Sequence, residues 1–154
     1  MVEIDKRKIE EILEIYKPEY CFLKKVEVNY PFFHGVFRTP STLYTKKPLN
    51  HLTDVEVQLC LNQLAYVGFE EVIKEKLIPQ LNSLNFKESQ YDEMVIGKSE
   101  KKFKEIINPN KEIHGKLKID KIFNLEGRII ALTSFDFENG KCIGRLNLAL
   151  IKKE

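Results

Sequence analysis

Hydrophobic spacing along the chain switches between a helical and a strand period. Over residues 4–16, Ile9, Leu13 and Tyr16 recur at i, i+4 and i+7 with Ile12 beside them. That spacing predicts a short amphipathic helix, ended by Pro18. Residues 20–30 and 33–45 predict two strands. In the first, Val26, Val28 and Tyr30 alternate with Glu27 and Asn29. Pro31 parts the two runs, and Pro40 demotes part of the second to an edge or a bulge. Residues 53–78 form the longest periodic segment. Leu59, Cys60, Leu61, Leu64, Ala65, Tyr66, Val67 and Phe69 make its middle apolar nearly all round, as in a helix buried on several sides. Glu70, Glu71, Lys74, Glu75 and Lys76 return its end to solvent, and Pro79 closes it.

The spacing over residues 80–110 leaves helix, strand and connector open. Residues 111–123, 127–138 and 141–151 are three β-type runs joined at Leu125-Glu126-Gly127 and Glu138-Asn139-Gly140. Asn-Gly is the strongest short hairpin signal, so these runs predict an antiparallel meander. A helix that greasy needs a sheet wrapped around it. The expected class is therefore α+β in the hot-dog arrangement, an antiparallel sheet curled round one central helix. No internal repeat, low-complexity tract or linker divides the chain, so residues 1–154 read as a single domain.

Composition narrows the picture. Of 154 residues, 43% are apolar and 31% charged, the balance of a soluble globule. Lys plus Arg is 25 and Asp plus Glu is 23, a net +2, which gives no reason to expect nucleic acid or an anionic membrane as partner. Cys21, Cys60 and Cys142 form no CxxC pair and read as reduced, buried thiols of a cytoplasmic protein. The charged N-terminus lacks an apolar signal core, and no run of apolar residues is long enough to span a membrane. His34, His51 and His114 have no metal-ligand spacing, so no metal is expected. Ser41 and Ser134 lie in no nucleophile elbow, and there is no phosphate loop or dinucleotide fingerprint.

Chemistry is expected at the start of the long helix. Thr53 and Glu56 form a T-x-x-E capping box, with Leu52 and Val57 at the staple positions. The same tip carries unpaired N–H groups and the positive end of the helix dipole, which suit a thioester oxyanion. Glu56 there can cap, orient water or act as base, and His51 is near enough in sequence to share the space. Asn62 and Gln63 interrupt the apolar interior. A buried amide without partners costs about 1–3 kcal/mol, so each needs a hydrogen bond or a ligand. On a helix, Glu56, Cys60 and Gln63 share one face, while Gln58, Asn62 and Tyr66 share another about 120° away. A cleft between two copies is one way to use both. Tyr44 precedes the loop TKKPLN, where its phenol is a candidate donor to a carbonyl. Cys60 reads as core. The lysines at 24–25, 46–47 and 101–104 read as solvated faces that suit coenzyme A phosphates or an acidic carrier protein.

The pattern His51-Leu52-Thr53-Asp54-Val55-Glu56 followed by Asn62-Gln63-Leu64-Ala65-Tyr66 resembles the FcoT-like thioesterase family, as do residues 20–23 and the run INPNKEIHGKL. The resemblance implies a hot-dog fold, an acyl chain beside the central helix and hydrolysis of long-chain acyl-CoA. Some relatives are implied instead to add glycine to an enoyl group on a carrier protein. Tyr44 and Asn62 match polar positions proposed for the family's active site, and Thr53 stands where the family commonly has Asn. A further family tyrosine corresponds to Tyr20 or Phe22.

The expected function is hydrolysis of a fatty acyl-CoA or acyl-carrier-protein thioester by a cytoplasmic homodimer or higher homo-oligomer. Tyr44, Glu56, Asn62 and His51 are the candidate catalytic residues, and Thr53, Leu59, Gln63, Tyr66 and Phe69 the candidate substrate contacts. No cofactor is needed beyond the coenzyme A or phosphopantetheine of the substrate. The alternatives are an enoyl-thioester lyase, hydratase or glycine-adding enzyme, and a non-catalytic acyl binder.

Overall fold

A computed structural model describes residues 1–40, 42–82 and 94–151. In chain order the elements are β1 (Val2–Glu3), α1 (Lys6–Ile12), β2 (Leu23–Asn29), β3 (Phe32–Arg38), α2 (Asp54–Lys74), β4 (Met94–Phe103), β5 (Glu112–Leu125), β6 (Arg128–Phe137) and β7 (Cys142–Ile151). The strands form one antiparallel sheet in the order β1-β2-β3-β5-β6-β7-β4. This is the hot-dog arrangement expected from the sequence.

Alternation sets the inner face of the sheet. Ile113, Leu117 and Ile119 of β5 and Ile129, Ala131, Phe135 and Phe137 of β6 point inward, with charged or half-buried residues between them. Helix α2 lies on that face and buries Val57, Cys60, Leu61, Leu64, Ala65, Val67, Phe69 and Val72. Gly68 lets it lie close, since a Cβ there would stand 2.2 Å from the Phe33 ring. The meander turns where expected. Glu126 and Gly127 both take positive φ between β5 and β6. Such a two-residue loop matches the twist of its strands. Glu138, Asn139 and Gly140 do the same before β7, and Gly140 N donates to Asp136 Oδ1 at 2.7 Å.

Several boundaries differ from the sequence reading. The first helix is shorter, Lys6–Ile12, and tightens into a 3-10 turn over Leu13–Ile15. The strand expected over 33–45 stops at Arg38, two residues before Pro40, so Tyr44 belongs to a loop and not to a strand end. Thr42 Oγ1 accepts from Leu49 N at 3.1 Å and Thr45 Oγ1 donates to Lys47 O at 2.7 Å, which folds that loop over the start of α2. Helix α2 ends at Lys74, short of Pro79. Lys76 adopts φ 54° there, with Lys76 N donating to Ile73 O and Leu77 N to Val72 O. This is a glycine-type helix stop occupied by lysine, which leaves no composition signal. Of the undecided segment, Met94–Phe103 is a strand, and 83–93 lie outside the described residues, as does Ser41.

Candidate active site

The start of α2 is held by the capping box. Thr53 N donates to Glu56 Oε2 at 2.8 Å, and Thr53 Oγ1 accepts from Val55 N at 3.2 Å. Leu52 is buried and its N–H bonds Ile107 O at 2.8 Å, which fixes how the chain enters the helix. Thr53 does more than cap. Its hydroxyl also donates to Glu56 Oε2, and Tyr44 Oη lies 2.5 Å from Thr53 Oγ1. The one Thr53 hydrogen goes to Glu56, so Tyr44 is the donor to Thr53. The result is a directed relay, Tyr44 O–H to Thr53 O–H to the Glu56 carboxylate.

The two ends of the relay differ in exposure. Tyr44 is 52% exposed, whereas Glu56 is 3% exposed. Desolvation raises the Tyr44 pKa; the Thr53 bond lowers it and the nearby Glu56 carboxylate raises it, for a net upward shift. Glu56 Oε1 is buried and has no hydrogen-bond partner among the described residues. Beside Glu56 lies a cavity of about 10 Å³, bounded by Tyr20, Phe22, Pro40, Leu43, Tyr44, Val55 and Leu59. That volume is about the room of one water. Glu56 is itself among the residues that bound this cavity, so a buried carboxylate and a water-sized, apolar-walled space occur together at the helix tip.

A second network faces β4. Gln58 Nε2 donates to Asn62 Oδ1 at 2.8 Å, and Ser99 Oγ donates to Gln58 Oε1 at 2.6 Å. Lys101 Nζ donates to Gln58 Oε1, to Ser99 Oγ at 2.8 Å and to Asp54 Oδ1 at 2.8 Å. The Lys101 side chain is 7% exposed. The sequence reading expects this lysine on a solvated face; its ammonium instead lies against α2, on Gln58 and Asp54.

A groove of about 510 Å³ runs along the same tip, lined by His51, Leu52, Thr53, Asp54, Phe103, Lys104, Glu105 and Ile106. Thr53 thus borders the groove and also joins the relay.

The other anticipated residues fall in different places. His51 is exposed in the groove and forms no bond with Glu56. Leu59 lines the water-sized cavity. Gln63 is not placed as a substrate contact. It is fully buried, accepts from Phe22 N at 3.0 Å and Leu23 N at 3.1 Å, and donates to Tyr20 O at 2.6 Å. It pins the helix to the segment before β2. Phe69 is likewise a core residue, its ring edge-on to Phe33 at 5.5 Å. Tyr66 packs on Tyr16, with ring centroids 6.3 Å apart, and burial is the main cause raising its pKa. Glu56 and Asn62 sit in separate networks of one copy, as their helical phase implied. Cys60 and Cys142 are buried, Cys21 is half-buried, and all three are free thiols. Among the described residues no group of three His, Cys, Asp or Glu is placed to hold a metal, and no helix is long and apolar enough to cross a membrane.

A family model described as an FcoT-like thioesterase domain matches residues 11–150. No curated protein matches the chain in sequence. Among solved structures, thioesterase superfamily member 2 of zebra fish is similar with TM-score 0.57 and 12% identity, covering 94% of this chain and 94% of that one. A thioesterase superfamily protein of Shewanella loihica gives TM-score 0.53 and 8% identity over 92% of this chain and 98% of that one. An uncharacterised protein of Pyrococcus horikoshii gives 0.57 and 12% over 100% and 98%. These likenesses establish the fold.

Proposed function

The chain belongs to the FcoT-like thioesterase family, and from that premise we propose that it hydrolyses acyl thioesters carried on coenzyme A or an acyl carrier protein. The observation that carries this reading is the buried Glu56 carboxylate, which ends the Tyr44–Thr53–Glu56 relay, has no partner for Oε1 among the described residues and belongs to a residue that lines a water-sized cavity.

In this reading Glu56 takes a proton from the water in the cavity, and the resulting hydroxide adds to the thioester carbon. Collapse of the tetrahedral intermediate breaks the C–S bond, and the proton held by Glu56 passes to the leaving thiolate. Thr53 fixes the carboxylate by donating to Oε2, which leaves Oε1 for the water. Tyr44 has its hydrogen committed to Thr53, so it offers lone pairs to the water and not a donor to the carbonyl. The acyl chain begins beside Leu59, Phe22 and Tyr20, which bound the cavity. The arm of the carrier lies in the groove along Phe103 and Ile106, with Lys104 at hand for its phosphate.

The developing oxyanion needs donors. Asn62 is the candidate, but it lies in the other network of the same copy. We therefore extend the proposal to a homodimer whose cleft joins Glu56 of one copy to Asn62 of the other. Edge strand β4, which exposes Val95 and Ile96, is a surface for such pairing.

The test is incubation with panels of saturated and enoyl thioesters of coenzyme A, with and without glycine, products being resolved by mass. Free coenzyme A from the saturated panel supports the reading. A mass gain on an intact enoyl thioester establishes a lyase or glycine-adding enzyme instead, and unchanged ligand that stays bound establishes an acyl binder.

A further inference from the structure

Lys101 is buried without entering the proposed hydrolysis. An ammonium group can only donate, and it has three hydrogens. All three are used, on Asp54 Oδ1, Ser99 Oγ and Gln58 Oε1. Ser99 accepts from Lys101 and so gives its own single hydrogen to Gln58 Oε1. Two donors therefore converge on the Gln58 carbonyl oxygen, and only the Gln58 NH2 is left to face the helix. One turn on, it donates to Asn62 Oδ1 at 2.8 Å. The Asn62 carbonyl is thereby turned toward Gln58. Its Nδ2, with two hydrogens, has no acceptor among the described residues, and the side chain is half-buried and accessible.

We propose that Lys101 is a positioning residue: acting through Gln58, it fixes the polarity of the Asn62 amide so that Asn62 presents N–H donors to the substrate. This rests on the thioester reading above, in which those donors meet the oxyanion of the carbonyl under attack. Without the cation, both amides are free to turn over together and offer Asn62 Oδ1, which repels an oxyanion. The ion pair with Asp54 holds Lys101 at the helix tip, so the electrostatics of the tip and the direction of the amide are set by one side chain.

The substitution Gln58→Glu separates orientation from packing. Glu is nearly isosteric with Gln and keeps an acceptor for Lys101 and Ser99, so the lysine stays paired. Its second oxygen, however, demands a donor from Asn62 and turns that amide round. Side-chain amide NMR of Asn62 reads this turn whether or not the protein is active. In the unsubstituted protein both Asn62 amide protons are expected to exchange freely with solvent. In Gln58→Glu one proton is expected to move downfield and exchange more slowly. With the thioester that the unsubstituted protein turns over, kcat is expected to fall about 100-fold, the cost of one oxyanion donor, with KM nearly unchanged. Lys101→Met is expected to lose less, Lys101→Arg to restore most of the loss, and neither Gln58→Glu nor Lys101→Met to lower kcat further in an Asn62→Ala background.

Asn62 amide signals that are identical in the unsubstituted protein, Gln58→Glu and Lys101→Met overturn the proposal. So does an unchanged kcat in Gln58→Glu when Asn62→Ala loses about 100-fold or more. If the amide turns as described but Asn62→Ala is fully active, the orienting role of Lys101 is upheld and it is the assignment of Asn62 to the oxyanion that fails.

Discussion

Thr53 and Asp54 are joined by one peptide bond yet hold different networks. Thr53 Oγ1 ties Tyr44 to Glu56, and Asp54 Oδ1 takes Lys101 Nζ at 2.8 Å. The tip of α2 is thus where a relay ending in a carboxylate and a relay ending in an amide meet.

Thr53 is both cap and relay member, and its substitutions separate the two roles. Thr53→Val removes the hydroxyl. It is expected to cost about 1 kcal/mol in helix capping, or about 2–4 °C in Tm for a chain of this size. Because Glu56 then loses its orienting donor, turnover is expected to fall at least about tenfold. Thr53→Ser keeps both the hydroxyl and the rate. Thermal melts beside turnover assays check this, and full activity in Thr53→Val contradicts the relay.

Gln63 is a structural residue on this account. Gln63→Leu leaves the buried N–H groups of Phe22 and Leu23 unpaired. The expected cost is about 2–4 kcal/mol, or about 5–15 °C in Tm. The fraction that remains folded should keep its kcat. A fall in kcat with an unchanged Tm would return Gln63 to the substrate contacts.

The tip also shows what a sequence can and cannot disclose. The capping box was legible because Thr53 and Glu56 are three residues apart and need only each other. The meander was legible because Asn139-Gly140 and Glu126-Gly127 are local turn chemistry. Strand β4 was not, because it is an edge strand exposed on much of both faces and so lacks strand alternation. The roles of Gln63 and Lys101 are not legible in the sequence for one reason. Their partners, Phe22, Leu23 and Asp54, lie 40 or more residues away, and only tertiary pairing tells a satisfied amide from a ligand, or a paired lysine from a solvated one. Phe69 is ambiguous in the sequence because a core phenylalanine and an acyl-chain contact have the same signature.

Buried thiols make the fold sensitive to alkali. Burial is the main cause that raises the Cys142 pKa to about 11 and pushes Cys60 well above its ordinary value. A folded-state pKa above the unfolded one gives stability that is whole below the unfolded value and is lost as pH climbs toward the folded one. Urea midpoints are therefore expected to hold level up to about pH 8.5 and to decline between about pH 9 and 11. Cys142→Ala is expected to flatten part of that decline. An identical decline in Cys142→Ala would remove Cys142 as a source.

A shared cleft predicts complementation. Glu56→Gln and Asn62→Ala are each expected to keep about 1% of normal activity or less alone. If a cleft takes Glu56 from one copy and Asn62 from the other, unfolding and refolding an equal mixture should place one intact site in half of the dimers, about a quarter of normal activity for random two-fold assembly. No recovery, with dimers present by mass, contradicts the shared cleft.

The most direct measurement is coenzyme A release by Glu56→Gln. Gln at this position still accepts from the Thr53 N–H, so the capping box survives and the variant is expected to melt with the unsubstituted protein. What it lacks is the carboxylate that serves as the base in this account. Release of coenzyme A from the acyl thioester that the protein turns over best is expected to fall at least about 100-fold. A folded Glu56→Gln protein that releases coenzyme A at the normal rate would contradict the account.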